Sequence, residues 1–347
     1  MKRLRDYGVT IGSLKPGPKN KITDVKGVTV GHSTISDGSY KTGVTSIIPH
    51  GGNVFREKVI ASSYVLNGFG KTVGTIQIEE LGTIETPILL TNTLSVPTCS
   101  SALLKYMLNQ NDDIGTTTGT INTVVGECND MYLNDIRDFA VKEEHAFIAL
   151  EQASVDFDEG NIGAGTGMKC FGLKGGIGSS SREITYYHGT YTIGVLALTN
   201  FGQLQHLTID GHKVGPRIKQ LIPSTQEEMD KGSVIIVIAT DLPVSDRQLH
   251  RILKRASVGL SRTGSYIGHG SGDIFIGFST ANKISHYSNE QLQHFAFIHE
   301  EEIEQAFIGV ADATEEAILN SLLTSKTTIG RDQHKLISLS EFIEEIL

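Results

Sequence analysis

A serine standing directly before an apolar run is the residue of this chain best placed to do chemistry. The segment reads Lys231-Gly232-Ser233-Val234-Ile235-Ile236-Val237-Ile238-Ala239-Thr240-Asp241. Its unbroken β-branched run predicts a strand covered on both faces. The polar cluster before it, Ser224-Thr225-Gln226-Glu227-Glu228-Met229-Asp230, reads as an exposed loop. A hydroxyl at that junction is positioned to attack the carbonyl just before it and break the chain at Gly232-Ser233. Ser233 then becomes a new N-terminus beside its own nucleophilic oxygen. Gly and Ser are also ordinary turn residues, so a plain turn into a strand has the same signature.

A second constellation is Ser271-Gly272-Asp273, ahead of the apolar run Ile274-Phe275-Ile276. Residues i and i+2 of an extended segment point to one side. Ser271 and Asp273 therefore present a hydroxyl and a carboxylate together, a relay able to orient and polarise a nucleophile. The competing reading is a turn in which Asp bonds the backbone. Gly163-Ala164-Gly165-Thr166-Gly167 invites a dinucleotide-binding reading, but an acidic loop precedes it and no helix start follows, so it reads as a loop packed near a site. The histidines form no His-x-x-x-His pair and the cysteines no Cys-x-x-Cys; His206 and His212 come nearest to a cluster. No metal site and no cofactor are expected. Cys99, ahead of an expected helix, would be activated in a first turn, but no partner is identifiable and a packed small residue is the better reading.

These residues need elements to hold them. Strands and turns are expected over 22–48, with strand-like runs at Thr72–Ile78, Thr86–Thr91, Tyr191–Asn200 and Ile274–Thr280. Helices are expected from Ser95, over 136–153, over 245–260 and over about 298–323; the third carries Leu249, Ile252, Leu253, Ala256 and Leu260 at helical spacing. Gly172 to Ser181 reads only as a glycine- and serine-rich stretch. No linker and no internal repeat stands out, so one α/β unit of layered sheets and helices, 1–347, is the simplest architecture.

Composition narrows the class. A length of 347 residues with 39% hydrophobic and 20% charged residues fits a globular chain with a large interior. The formal net charge of -9 argues against a nucleic-acid partner. No run approaches the roughly 18 apolar residues of a spanning helix, and the basic start Met1–Tyr7 leads into no signal-like stretch. An odd set of cysteines, Cys99, Cys128 and Cys170, fits a reducing compartment, so a cytoplasmic location is expected.

Longer blocks carry a resemblance. They are Gly43–His50, Asn67-Gly68-Phe69-Gly70-Lys71, Glu79–Ile88, Val124–Ile136, Gly165-Thr166-Gly167-Met168, Lys174-Gly175-Gly176-Ile177-Gly178 and Arg262–Tyr266 leading to Gly270–Asp273. Together they resemble the DmpA-type L-aminopeptidase/D-esterase family, which includes the β-peptidyl aminopeptidases, from about Ile22 to Arg331. The resemblance implies a serine hydrolase that splits itself into an α-chain, 1–232, and a β-chain, 233–347. It implies a four-layer α-β-β-α sandwich, like the N-terminal nucleophile hydrolases but with different connectivity. On that pattern Ser233 matches the nucleophile, Ser271 and Asp273 the supporting pair, and Asn200 and Tyr132 the oxyanion-stabilising groups. Other family members carry Glu where this chain has Asp273. Glu127 is the candidate contact for a substrate ammonium. The substrate implied is a peptide or an aminoacyl amide or ester, and the assembly a homo-oligomer of αβ units. Two rivals share the scaffold: an acyl transferase like the ornithine acetyltransferases, whose nucleophile is Thr where this chain has Ser233, and an uncleaved binding protein.

Overall fold

The computed structural model describes residues 1–222, 232–288 and 290–346. The expected loop at 224–230 lies outside the described residues. In chain order, the strands of the two main sheets are β1 (Thr29–Ile35), β2 (Thr42–Ile48), β3 (Glu57–Gly68), β4 (Thr83–Ile84), β5 (Ile88–Asn92), β6 (Val124–Cys128), β7 (Ile177–Tyr186), β8 (Gly189–Asn200), β9 (Ser233–Thr240) and β10 (Gly272–Ser285). One sheet has the order β1-β2-β5-β6, the other β4-β3-β10-β9-β8-β7. The principal helices are α1 (Thr75–Leu81), α2 (Val96–Leu108), α3 (Glu143–Glu151), α4 (Gly215–Leu221), α5 (Asp246–Arg262) and α6 (Glu304–Leu323).

Strand periodicity sorts the side chains into layers. Ile235, Val237 and Ala239 of β9 pack between the sheets against residues such as Ile88, Leu90 and Val124. Val234, Ile236 and Ile238 face the other way, toward Leu249, Ile252 and Leu253 of α5 and Val310 and Ala317 of α6. On the far side, Val44, Leu89 and Val125 meet Cys99, Leu103 and Met107 of α2 and Ala146 and Leu150 of α3. The order of layers is thus helix, sheet, sheet, helix, as expected. Each fully buried Val, Leu or Ile in these layers contributes about 1.5–3 kcal/mol relative to exposure. Every residue of β9 is buried, which is why Val234–Ala239 is an unbroken apolar run with no polar alternation.

Several local expectations are corrected. Thr72–Ile78 is not a strand: Gly74, at φ +98°, starts α1, and only Val73 keeps a single bridge to Val125. A Cβ at Gly74 would lie 2.3 Å from the Thr123 carbonyl, so the turn needs glycine there. The helix expected over 136–153 shrinks to α3, because Phe139 adopts a left-handed conformation after a short 3-10 turn. Within the strands and turns expected over 22–48, Ile22–Asp24 is a 3-10 turn. The glycine- and serine-rich stretch runs into β7, where Ser179, Ser180 and Ser181 are buried because each finds a hydrogen-bond partner. One partner, Asn20, belongs to an N-terminal segment tied to α6. Burial alone would push the Glu316 carboxyl up, but Arg5 and Arg182 hold it below its ordinary value.

Candidate active site

Ser233 opens β9, the strand that lies between β8 and β10. In the antiparallel ladder it faces Asn200, the last residue of β8; in the parallel ladder it faces Gly272, the first residue of β10. Alternation along β9 turns Ser233 to the side of Ile235, into the space between the sheets. The end of β6 meets it there. The Asn129 N–H donates to Ser233 Oγ at 3.4 Å and the Asn200 carboxamide donates from Nδ2 at 3.5 Å. The buried Cys128 thiol also contacts the Ser233 hydroxyl and donates to the Leu198 carbonyl at 3.6 Å. Burial, then the nearby Glu127 charge, push that thiol well above its ordinary pKa, so Cys128 is a neutral neighbour, not a rival nucleophile.

The carbonyl ahead of Ser233 is also held. Gly272 N–H donates to the Gly232 oxygen at 3.2 Å. A Cβ on Gly232 would stand 2.3 Å from the Asn200 carbonyl and 2.5 Å from Phe201 Cα. Only glycine lets the chain pass that close, which is the physical content of the Gly232-Ser233 pair.

Ser271 and Asp273 flank Gly272. The Ser271 hydroxyl donates to Asp273 Oδ1 at 2.6 Å, and both residues are buried. The hydroxyl–carboxylate pair read from i, i+2 spacing therefore forms, one strand away from Ser233. Asn67, paired with Asp273 across β3 and β10, donates to the Ser271 carbonyl and, at 3.2 Å each, to those of Gly268 and His269.

Asn200 is oriented by a neighbour. Its Oδ1 accepts the Lys169 N–H at 3.0 Å, which turns its NH2 group toward Ser233. The Lys169 ammonium sits 4.4 Å over the Tyr132 ring, and His334 stacks on the same ring at 4.6 Å. Lys169 thus links the two groups matched to the oxyanion role. Glu127, 3% exposed, accepts the Lys71 N–H at Oε1 (2.8 Å) and the Thr93 hydroxyl at Oε2. A carboxylate offers about four acceptor sites, and these two contacts occupy about half of them. A Cβ at Gly70 would lie 3.5 Å from Glu127 Oε1 and 3.7 Å from Gly272 Cα, so Glu127 borders the start of β10.

Other singled-out residues lie elsewhere. Gly163–Gly165 is one 3-10 turn whose amides bond Thr34 and Thr45, with no following helix. Cys99 is packed inside α2, and burial pushes its thiol up to about 12. His206 stacks edge-on against Tyr266, and His212 is exposed. Sequence reasoning missed the Asn129 and Gly272 amides, Cys128 and Lys169. Backbone donors leave no mark on residue type; adjacency to Glu127 and Ser271 was the one available signal.

This geometry has close counterparts. The model of peptidase family S58 matches residues 20–336. The chain is 37% identical over 350 residues to the β-peptidyl aminopeptidase BapA of Sphingosinicella microcystinivorans, with 94% of this chain and 87% of that protein covered. The crystal structure of the PH0078 protein from Pyrococcus horikoshii OT3 superposes with a TM-score of 0.95 at 49% identity, covering 99% of this chain and 98% of the other. The L-aminopeptidase D-Ala-esterase/amidase of Ochrobactrum anthropi, a prototype serine aminopeptidase with a variant Ntn-hydrolase fold, superposes with a TM-score of 0.91 at 33% identity, covering 99% and 97%. With a family match over nearly its whole length and the same layered architecture, the chain belongs to peptidase family S58.

Proposed function

We propose that this serine aminopeptidase matures by cutting its own Gly232–Ser233 bond and then removes N-terminal residues from peptides, amides or esters through an acyl-enzyme on Ser233. The observation that carries the reading is the convergence on Ser233 Oγ of two donors, the Asn129 amide and the Asn200 carboxamide, at the buried start of β9.

In maturation, Ser233 Oγ attacks the Gly232 carbonyl carbon. The oxygen that gains charge is the one already facing the Gly272 N–H. Collapse moves the acyl group from nitrogen to oxygen, and water then frees the 1–232 carboxylate. The product carries a Ser233 α-amine with a reference pKa near ~8. In turnover that amine is the base that titrates near neutral pH, whereas the Ser271 hydroxyl is no more basic than the nucleophile itself. The amine takes the Ser233 proton, while Ser271, held by Asp273, orients it. Asn200 and the Asn129 amide stabilise the tetrahedral anion, with Tyr132 beside them. The peptide lacking its first residue leaves, and water releases the amino acid. Glu127 receives the substrate ammonium, which limits attack to free N-termini. The relatives' names cover β-peptidyl and L-aminoacyl substrates, and the same chemistry serves both; pocket shape decides between them.

The buried free cysteines support work in the reducing cytoplasm, and the αβ units assemble into a homo-oligomer, for which a sedimentation mass above the 37.6 kDa of one chain is the check. The central test is a denaturing gel with N-terminal sequencing. Two bands, the smaller beginning at Ser233, are expected, with one full-length band for Ser233→Ala. Cleavage of Ser233→Ala at the same bond would remove Ser233 as the nucleophile.

A further inference from the structure

Lys174 is a fully buried lysine that the reaction does not use. Its ammonium donates to three carbonyls: Gly165 at 3.0 Å, Met168 at 3.0 Å and Gly175 at 2.6 Å. An ammonium has three N–H groups, so the match is complete; a neutral amine, with two, would make only two of the three contacts. Its backbone N–H is tied as well, to the Ile337 carbonyl at 2.9 Å. Burial disfavours the cation here, while Cys170 and the buried Asp130 favour it.

What the cage holds matters more than the cage. The three carbonyls bracket the turn Gly165–Gly175, closed also by the Gly175 N–H to the Met168 carbonyl at 3.0 Å. The residue after Met168 is Lys169, whose N–H fixes Asn200 Oδ1. Two residues on, the Phe171 N–H bonds the Phe201 carbonyl at 2.6 Å, next to Asn200 in the chain. A carboxamide must be turned the right way round to donate toward Ser233, and the Lys169 amide is what selects that orientation. Asp130 belongs to the other wall: it follows Asn129, whose N–H also faces Ser233 Oγ, and its Oδ1 accepts from Asn134 at 3.0 Å. Burial pushes its carboxyl up to about 7 and the Lys174 ammonium down to about 7, the cost of keeping both in the interior.

We propose that Lys174 is a positioning residue for catalysis: its three-carbonyl cage holds the Gly165–Lys169 turn in the place from which the Lys169 amide aims Asn200 at the nucleophile. The inference rests on the role of Asn200 proposed above. It concerns transition-state stabilisation, so it makes a kinetic demand that a merely structural lysine does not.

The test uses the self-processed enzyme and an aminoacyl p-nitroanilide, with Lys174→Met, Lys174→Gln, Asn200→Ala and the Lys174→Met/Asn200→Ala double variant. Folding is read by circular dichroism and thermal melting. In folded Lys174→Met, kcat falls by about tenfold or more while KM stays within about twofold, the signature of a lost transition-state contact. Lys174→Gln, which still donates two N–H groups, recovers part of kcat. In the Asn200→Ala background, Lys174→Met has little further effect on kcat, because the group it positions is gone. A folded Lys174→Met with unchanged kcat, or a loss that multiplies in full with that of Asn200→Ala, overturns the inference. So does a failure of both Met and Gln variants to fold, which leaves Lys174 as a stability element. If Asn200→Ala alone keeps full kcat, the assignment of Asn200 fails first, a result distinguishable from failure of Lys174.

Discussion

Asn200→Ala isolates one donor from the rest of the site. The Asn200 side chain is fixed at both ends: Oδ1 by the Lys169 N–H at 3.0 Å, Nδ2 facing Ser233 Oγ at 3.5 Å. A donor already oriented needs no reorganisation when charge develops, which is where such groups gain their effect. Loss of one oxyanion donor of this kind costs about 2.7–4 kcal/mol, or ~10²–10³ in kcat. The Asn129 amide remains at 3.4 Å, so turnover falls into that range and does not vanish. Asn200→Asp keeps the Lys169 bond but replaces the donor with an acceptor carrying charge, and loses at least as much. Self-cleavage responds differently. The oxygen that charges in that step is Gly232 O, already bonded to the Gly272 N–H at 3.2 Å. Maturation of Asn200→Ala therefore slows by a smaller factor than turnover. The assay is kcat on an aminoacyl p-nitroanilide, normalised to the cleaved fraction on a denaturing gel. A processed Asn200→Ala enzyme within threefold of the parent kcat would refute the reasoning, as would a maturation defect larger than the turnover defect.

Ser271→Ala and Asp273→Asn each lower kcat by roughly 10²–10⁴ with the melting curve retained; near-normal hydrolysis by both would make the 2.6 Å pair a structural turn. Glu127→Gln raises KM for free-amine substrates far more than it slows self-cleavage, which has no incoming ammonium, and N-acetylated peptides are poor substrates of the parent enzyme; equal hydrolysis of acetylated and free peptides would leave a general amidase. The half-buried His32, bonded through Nδ1 to Thr45 and through Nε2 to the Asp158 carbonyl, has its pKa lowered by burial from 6.5 to about 4. A lowered pKa means the unfolded chain takes up the proton first, so this stabilisation is present above pH 6.5 and is lost as pH falls toward 4. Relative to His32→Gln, the parent chain should lose up to about 3 kcal/mol across that window in denaturant titrations; parallel stability curves for the two would exclude His32 as the source.

Much of the site was legible in one dimension, and for a common reason. Ser233 before a β-branched run, and Ser271 with Asp273 at i and i+2, are patterns in which strand geometry alone determines which way side chains point. The fully buried β9 and the strongly patterned α5 were equally direct, because burial on both faces or on one stripe writes itself into residue type. The longer blocks, from Gly43 to Asp273, carried the family. The misreadings fell where a single backbone conformation overrode pattern: Gly74 turned an apparent strand into α1, and Phe139 cut a helix short. Tertiary structure alone decided the rest. The Asn129 amide reaches Ser233 only because β6 and β9 lie in facing sheets, 104 positions apart in the chain. The Gly272 amide meets the Gly232 carbonyl only through parallel pairing of β9 with β10. Lys174 finds its three carbonyls only when the turn beneath it closes. Backbone donors and acceptors are the same at every position, so the order of residues points to Ser233, while only the folded ladders determine which amides surround it.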